Sequence, residues 1–285
     1  MMIFASFVFA SMGAFVKVAS RELSSIQIVF FRNVIGIVFI VSSIISKPLK
    51  NKGRRFGLLM FRGISGTLAL YALFYNMGEI GLGKSITFIQ TAPIFIAIFS
   101  MMFLKERLSL PGWLAIFIGF GGILLIFRPD LNSNPLNNLL GIFNGVFAAA
   151  AYTSVRELKK HYETRSIVLS FMAWGIILPV ISMLFAPFLD NQKFEFVVST
   201  FVWPSGEQWF WLFMVGITAM LGQVYITKAY GEEKAGVIST VGYVNIPFAI
   251  FLGVLLGDPF PDWLEIAGIV LIIVSGAVIS IRRNI

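Results

Sequence analysis

Apolar residues run through this chain in long blocks and do not alternate with polar ones. Ten blocks stand out, at 2–19, 25–46, 56–76, 82–104, 110–127, 136–155, 166–188, 207–227, 234–256 and 263–281. A helix of about 20 residues spans the hydrocarbon core of a bilayer. The breaks between blocks gather Gly, Pro, Asn and charge, as in SKPLKNKGRR (46–55), RPDLNSNP (128–135) and RELKKHYETR (156–165). These are turn and loop compositions. The pattern predicts an all-α integral membrane protein with ten transmembrane helices.

Two blocks carry a polar amide just before a proline. FIQTAPIFIAIF (88–99) holds Gln90 and Pro93, and YVNIPFAIF (243–251) holds Asn245 and Pro247. Proline removes one backbone hydrogen bond and clashes with the carbonyl four residues back. Pro93 thereby frees the carbonyl of Ile89, and Pro247 that of Tyr243. In hydrocarbon such a group is tolerated where it faces a watered cavity, a ligand or a neighbouring helix.

The two interruptions correspond within an internal repeat. Residues 3–17 align with 142–156, and residues 62–126 with 215–279, which sets Pro93 beside Pro247 at an offset of 154. LKERLSLPGWL (104–114) then falls near LGDPFPDWL (256–264), with a two-residue gap. Five helices duplicated is an odd number, so the second copy enters the membrane inverted. Inverted repeats with proline-interrupted helices at matching places point to a midplane binding site. The expected architecture is two inverted five-helix repeats, 1–128 and 136–281, around a central cavity.

Charge orients the bundle. With both termini cytoplasmic, the inner loops and the C-terminus hold Lys47, Lys50, Lys52, Arg54, Arg55, Lys105, Arg107, Arg156, Lys159, Lys160, Arg165, Lys228, Lys234, Arg282 and Arg283. The outer loops hold Arg21, Lys84, Arg128 and Lys193. Fifteen cations against four favour cytoplasmic N- and C-termini in the cytoplasmic (inner) membrane.

Composition narrows the function. The chain is 58% hydrophobic and 13% charged, with mean hydropathy +0.87. Soluble domains run to about 45–50% apolar and about 25% charged. The excess of 22 Lys and Arg over 14 Asp and Glu therefore records orientation and not nucleic-acid binding. No Cys is present and His161 is the single His, which leaves no thiol chemistry and no histidine metal cluster. The first block starts at Met1 with no charged lead-in and no cleavage site before a soluble domain, so no separate signal peptide is expected. The start codon stays an open assignment.

The order and spacing of several motifs resemble the drug/metabolite transporter superfamily, in its EamA-type ten-helix branch. They are a first span ending in Lys17, FFRNVIGIV (30–38), RGISGTLALYALFY (62–75), TAPIFIAIFSMMFLKERLS (91–109) with Glu106, and GFGGILLIFRP (119–129). The resemblance covers nearly the whole chain. It implies a basket of helices, alternating access, and spans five and ten packed outside. It also implies substrates among amino acids and their derivatives, nucleotide-like molecules, sugars and drugs. Asp258 stands where the family usually has Glu in the second copy of the loop motif.

The residues offer candidates for a substrate site: Arg32, Tyr71, Gln90, Gln223, Tyr243 and Asn245, with Pro93 and Pro247 as helix kinks. Arg32 lies two turns into the second span, where an Arg costs about 2.5–3.5 kcal/mol to insert. It either binds an anionic substrate group or snorkels to the outer interface. Thr67, Tyr71 and Tyr75 recur every four residues as one face, suited to stacking an aromatic ligand or to packing. Gln223 with Thr227, and Ser239 with Tyr243, sit one turn apart. Lys17 and its repeat partner Arg156 suit helix C-termini, and Arg62 is expected to snorkel inward. No carboxylate lies mid-membrane, which removes the usual proton-coupling group.

The leading expectation is a secondary transporter of a small polar metabolite, with an amino acid, an amino-acid derivative or a nucleotide-like compound favoured. Sugars or drugs in the same fold are the alternative. A channel is a weaker rival, and so is an enzyme: no HExxH, no GxSxG and no intramembrane His or acid is present. No nucleotide-binding loop appears either. The expected partners are a small-molecule substrate and the lipid bilayer, with no nucleic acid and no cofactor; a homodimer is left open.

Overall fold

The computed structural model describes residues 1–51, 53–80, 85, 88–106, 108–127, 135–189, 196–255 and 260–281, with backbone alone at 78, 127 and 276–281. Lys52, Lys84, Arg107, Arg128, Lys193, Asp258, Arg282 and Arg283, used above, lie outside the described residues, as does most of the start of the fourth apolar block.

Helices follow the apolar blocks. They are α1 (Met2–Ala19), α2 (Ser25–Ser46), α3 (Phe56–Glu79), α4 (Ala92–Leu104), α5 (Leu110–Phe127), α6 (Pro135–Leu158), α7 (Thr164–Phe185), α8 (Gly206–Glu232), α9 (Ala235–Val241), α10 (Asn245–Leu255) and α11 (Trp263–Ile281). Among the described residues, seven helical stretches are long and apolar enough to cross a membrane, and α4, α5 and α11 are shorter apolar helices. Ser24 and Ser205 start α2 and α8 by accepting the N–H of Gln27 and Gln208 at 3.3 and 3.4 Å, which occupies one otherwise unpaired donor at each helix start.

Polarity is arranged for lipid. Met102, Phe103, Phe117, Leu184 and Phe251 stand exposed on the outside. Gln27, Arg32, Asn33, Arg62, Thr67 and Thr227 are buried. A polar side chain is costly against hydrocarbon and belongs against protein or a cavity.

The helix partnerships come in matched pairs. Helix α1 packs on α8 and α10, while α6 packs on α3 and α4. The contact of α2 with α8 is matched by that of α7 with α3, and α2–α7 and α5–α11 pair directly. The α5–α11 contact is close because glycines meet. A Cβ on Gly122 would fall 2.6 Å from the carbonyl oxygen of Gly268, and one on Gly268 would fall 2.5 Å from that of Gly122.

The first proline interruption is a break before a helix, and the second is a tightening within a continuous helical stretch. Pro93 occupies the first turn of α4, where its missing N–H costs nothing. Before it, Thr91 donates from its backbone N–H (3.0 Å) and its Oγ1 (2.7 Å) to the carbonyl of Phe88. The ninth block divides into α9, a 3₁₀ turn at Gly242–Val244 and α10, with Pro247 near the start of α10.

The two ends of the bundle differ. At the basic end, Arg165 donates to the carbonyls of Ser43 (2.8 Å) and Lys47 (2.6 Å). It also pairs with Glu163 at 2.8 Å, and this hydrogen bond holds the carboxyl below the usual range. His161 lies here too, 3.8 Å from Glu157. At the other end Phe31, Phe201, Trp203 and Trp209 form an aromatic cluster. Gln27 donates to the Val202 carbonyl there at 2.7 Å. Such a cluster suits the polar–apolar boundary of a bilayer.

Gly122→Leu or Gly268→Leu is expected to lower stability by about 1–3 kcal/mol, because backbone cannot yield as a flexible side chain does. A drop in the thermal midpoint of the detergent-solubilised protein measures it.

Candidate functional site

A central cavity of about 210 Å³ lies where α1, α3, α6 and α8 face one another, between the two helix interruptions. Its wall is mostly apolar, with Ala10, Ala69, Ala148 and Ala151 leaving room that longer side chains would fill. Toward the aromatic end it reaches the exposed Lys17.

Two arginines enter this wall. Arg32 is 1% exposed and Arg62 2%. Arg32 donates from Nη1 to Asn33 Oδ1 at 3.2 Å. Asn33 is held in turn by donating from Nδ2 to the carbonyls of Val29 (2.7 Å) and Gly175 (3.3 Å). The Arg32 guanidinium lies 5.5 Å from the Phe171 ring centre. Arg62 lies 4.6 Å from the same ring and 5.6 Å from Tyr152. The Nε of each arginine is buried without a hydrogen-bond partner. The ion pairs described in the chain lie at the basic end, and none includes either residue. Aromatic faces stabilise a guanidinium, but they do not neutralise its charge.

Tyr152 and Tyr230 stack at 4.8 Å with planes 15° apart, and both line the cavity. Asn144 donates to the Ala69 carbonyl at 2.6 Å, while its Oδ1 is buried and unpartnered. Toward the basic end Glu106 joins three elements: it pairs with Arg156 at the end of α6 and accepts the N–H of Ala235, the first residue of α9, at 3.3 Å.

The structure brings some of the sequence candidates together and separates others. Arg32, Gln90, Pro93, Gln223 and Asn245 line the cavity. Gln223 donates to Thr227 Oγ1 at 3.2 Å, and Asn245 to the Ser6 carbonyl at 2.6 Å, which ties the tightened stretch to α1. Tyr71, Tyr243 and Pro247 are not in the lining. The Tyr71 hydroxyl meets Ser182 Oγ at 3.2 Å, because the Thr67–Tyr71 face turns toward α7 and its own helix. Tyr243 is fully buried, with its ring against Gly119 and among Ile123, Ile246 and Ile272. The 3₁₀ turn advances each residue by about 120°, against 100° in an α-helix. Tyr243 therefore leaves the face that carries Ser239. Arg62 does not snorkel; it points into the interior. Tyr152 and Tyr230 were not among the candidates. The run of four alanines before Tyr152 was the available signal, since small residues beside a mid-helix aromatic leave space.

The EamA-like transporter family model matches residues 1–128 and 136–281. An uncharacterized transporter of Helicobacter pylori is 32% identical, over 99% of this chain and 93% of that protein. The pseudopaline exporter CntI of Pseudomonas aeruginosa is 31% identical, over 98% of this chain and 94% of that one. A solved crystal structure superposes with a TM-score of 0.80 at 15% identity, covering 99% of this chain and 97% of the other, which is a likeness of fold.

Because the chain has no Cys, single cysteines can report on the cavity. Ala14→Cys and Ala249→Cys, in the lining, should react with a small water-soluble thiol reagent about tenfold or more faster than Ala97→Cys and Ala219→Cys, which are fully buried elsewhere. Mass spectrometry of the labelled protein gives the rates.

Proposed function

The chain belongs to the EamA-like transporter family, and from that premise we propose that it is a secondary transporter working by alternating access. Its cargo is a small polar metabolite: an amino acid, an amino-acid derivative or a nucleotide-like compound. The central cavity carries this reading. It lies between two interrupted helices, is lined from both halves of the chain and takes in the buried Arg32, Arg62, Asn144 and Gln223. Its size suits a small metabolite, since pockets for drug-sized ligands run to about 300–1,000 Å³.

The matched helix partnerships support the reading of 1–128 and 136–281 as inverted five-helix repeats, ten spans in all. On that reading the two halves rock about the cavity and expose it to each side in turn. The excess of positive charge at the basic end supports cytoplasmic termini in the inner membrane. Glu106 then closes the cytoplasmic side by joining α4, α6 and α9, while the lining runs toward Lys17 on the outer side. The access route on the far side opens only when that junction parts.

Two measurements test the proposal. Proteoliposomes preloaded with a mixed metabolite pool should show saturable counterflow of a labelled member of the pool; flux that rises linearly with concentration would count for a pore. Glu106→Gln removes the charge that Arg156 and the Ala235 N–H hold, a contact worth about 1 kcal/mol at this partial exposure. In that background Ala151→Cys, near the basic end, should label several-fold faster, and an unchanged rate would remove Glu106 from the gate.

A further inference from the structure

We propose that the cavity is built for a dianionic organic ligand, whose negative charge is shared between Arg32 and Arg62. The inference deepens the carrier reading and rests on it for its biological meaning.

Three observations converge. Both guanidiniums are at least 98% buried and line one cavity. Each retains a buried Nε with no acceptor, and Arg32 spends only one donor on a neutral amide oxygen. No acid among the described residues pairs with either of them. Two buried like charges without a counter-ion are unfavourable in a low-dielectric interior. The counter-charge that the fold does not supply is left for the ligand.

The geometry sets the ligand's character. Both guanidiniums touch the Phe171 ring, at 5.5 and 4.6 Å, so they lie no further apart than the sum of those distances. Within that bound a short body carrying two carboxylates can engage both, and a phosphate monoester does so if the guanidiniums lie near enough for one group to bridge them. Arginine forks recognise either group through paired, charge-assisted hydrogen bonds. Much of the remaining wall is alanine, leucine, methionine and the stacked Tyr152–Tyr230 pair, which suits an apolar or flat body, with Gln90, Gln223 and Asn245 as polar points among them. Asn144, with a free Oδ1, adds an acceptor for a ligand N–H or O–H group. Bound, the dianion brings the pair of arginines to net neutrality, the state of least cost in a low-dielectric interior.

The test uses the purified full-length protein in detergent, with thermal unfolding followed against ligand concentration. Phthalate, glutarate and phenyl phosphate are compared with benzoate and dimethyl phthalate. Any of the three dianions should bind about tenfold or more tightly than benzoate or the diester. Tightest binding by phenyl phosphate would identify a phosphate monoester; tightest binding by phthalate or glutarate would identify a dicarboxylate. This ladder needs only the wild-type protein. Arg32→Gln and Arg62→Gln should each weaken dianion binding about tenfold or more, and benzoate binding less. Equal binding of benzoate or the diester overturns the inference, as does failure of every dianion to bind or undiminished dianion binding in both variants. Counterflow separates it from the carrier reading. Exchange of a neutral solute, insensitive to dianions, keeps the carrier and removes the dianion. Dianion binding with no exchange of any solute keeps the site and removes the carrier.

Discussion

Hydrocarbon offers no hydrogen bond, so every polar group placed inside this chain has to find its partner in the chain or in the cavity. Much of the architecture follows from that demand. The backbone is helical along the apolar blocks, where it satisfies itself. Before α4, where it is interrupted, a side chain substitutes: Thr91 donates to the Phe88 carbonyl. Asn245, in the second irregular segment, donates to the Ser6 carbonyl of α1. The same device joins helices. Asn76 donates to the Asn137 carbonyl at 2.9 Å, Asn144 to that of Ala69, and Ser275 to that of Ala115 at 2.7 Å. Each is an amide or hydroxyl on one helix closing a carbonyl on another, which holds the bundle where apolar contact with lipid would do as well as apolar contact with protein.

Ten described side chains escape this rule, and three of them face one space. Arg32, Arg62 and Asn144 each keep a buried polar atom unpartnered, and all three line the cavity. Unsatisfied polar atoms are unfavourable in an empty protein and become useful when a ligand arrives, because the ligand then gains bonds that cost the protein none. Phe171 and Tyr152 hold the arginines in place by their ring faces, a contact that orients the cations without cancelling their charge. Small residues do the complementary work: alanines on α3 and α6 keep the space open, and glycines on α5 and α11 let that pair close tightly beside it.

The ends of the helices explain how such a site can belong to a carrier. The tie at Glu106 is made of a partly exposed ion pair and one N–H bond, a junction weak enough to part. The α5–α11 contact is backbone against backbone and has no such give.

Much of the fold was legible in the sequence because lipid imposes a simple code: length and apolarity mark the helices, and Gly, Pro and charge mark their ends. The two interruptions were legible as well, since Gln90–Pro93 and Asn245–Pro247 violate that code at matching places. Which face each polar residue presents was not. Arg62 and Tyr71 share α3, and only the packing of α3 against α6 and α7 turns the arginine inward to Tyr152 and the tyrosine toward Ser182. Tyr243 stands one turn from Ser239 in the sequence, yet three residues of tighter winding carry it to Gly119. The sequence by itself determined that this chain is a bundle of apolar helices with two interrupted ones. The pairing of Arg32 with Arg62 across Phe171 was decided by tertiary structure alone, because helical phase is local while the neighbour that a side chain meets depends on how helices far apart in the chain are rotated against one another.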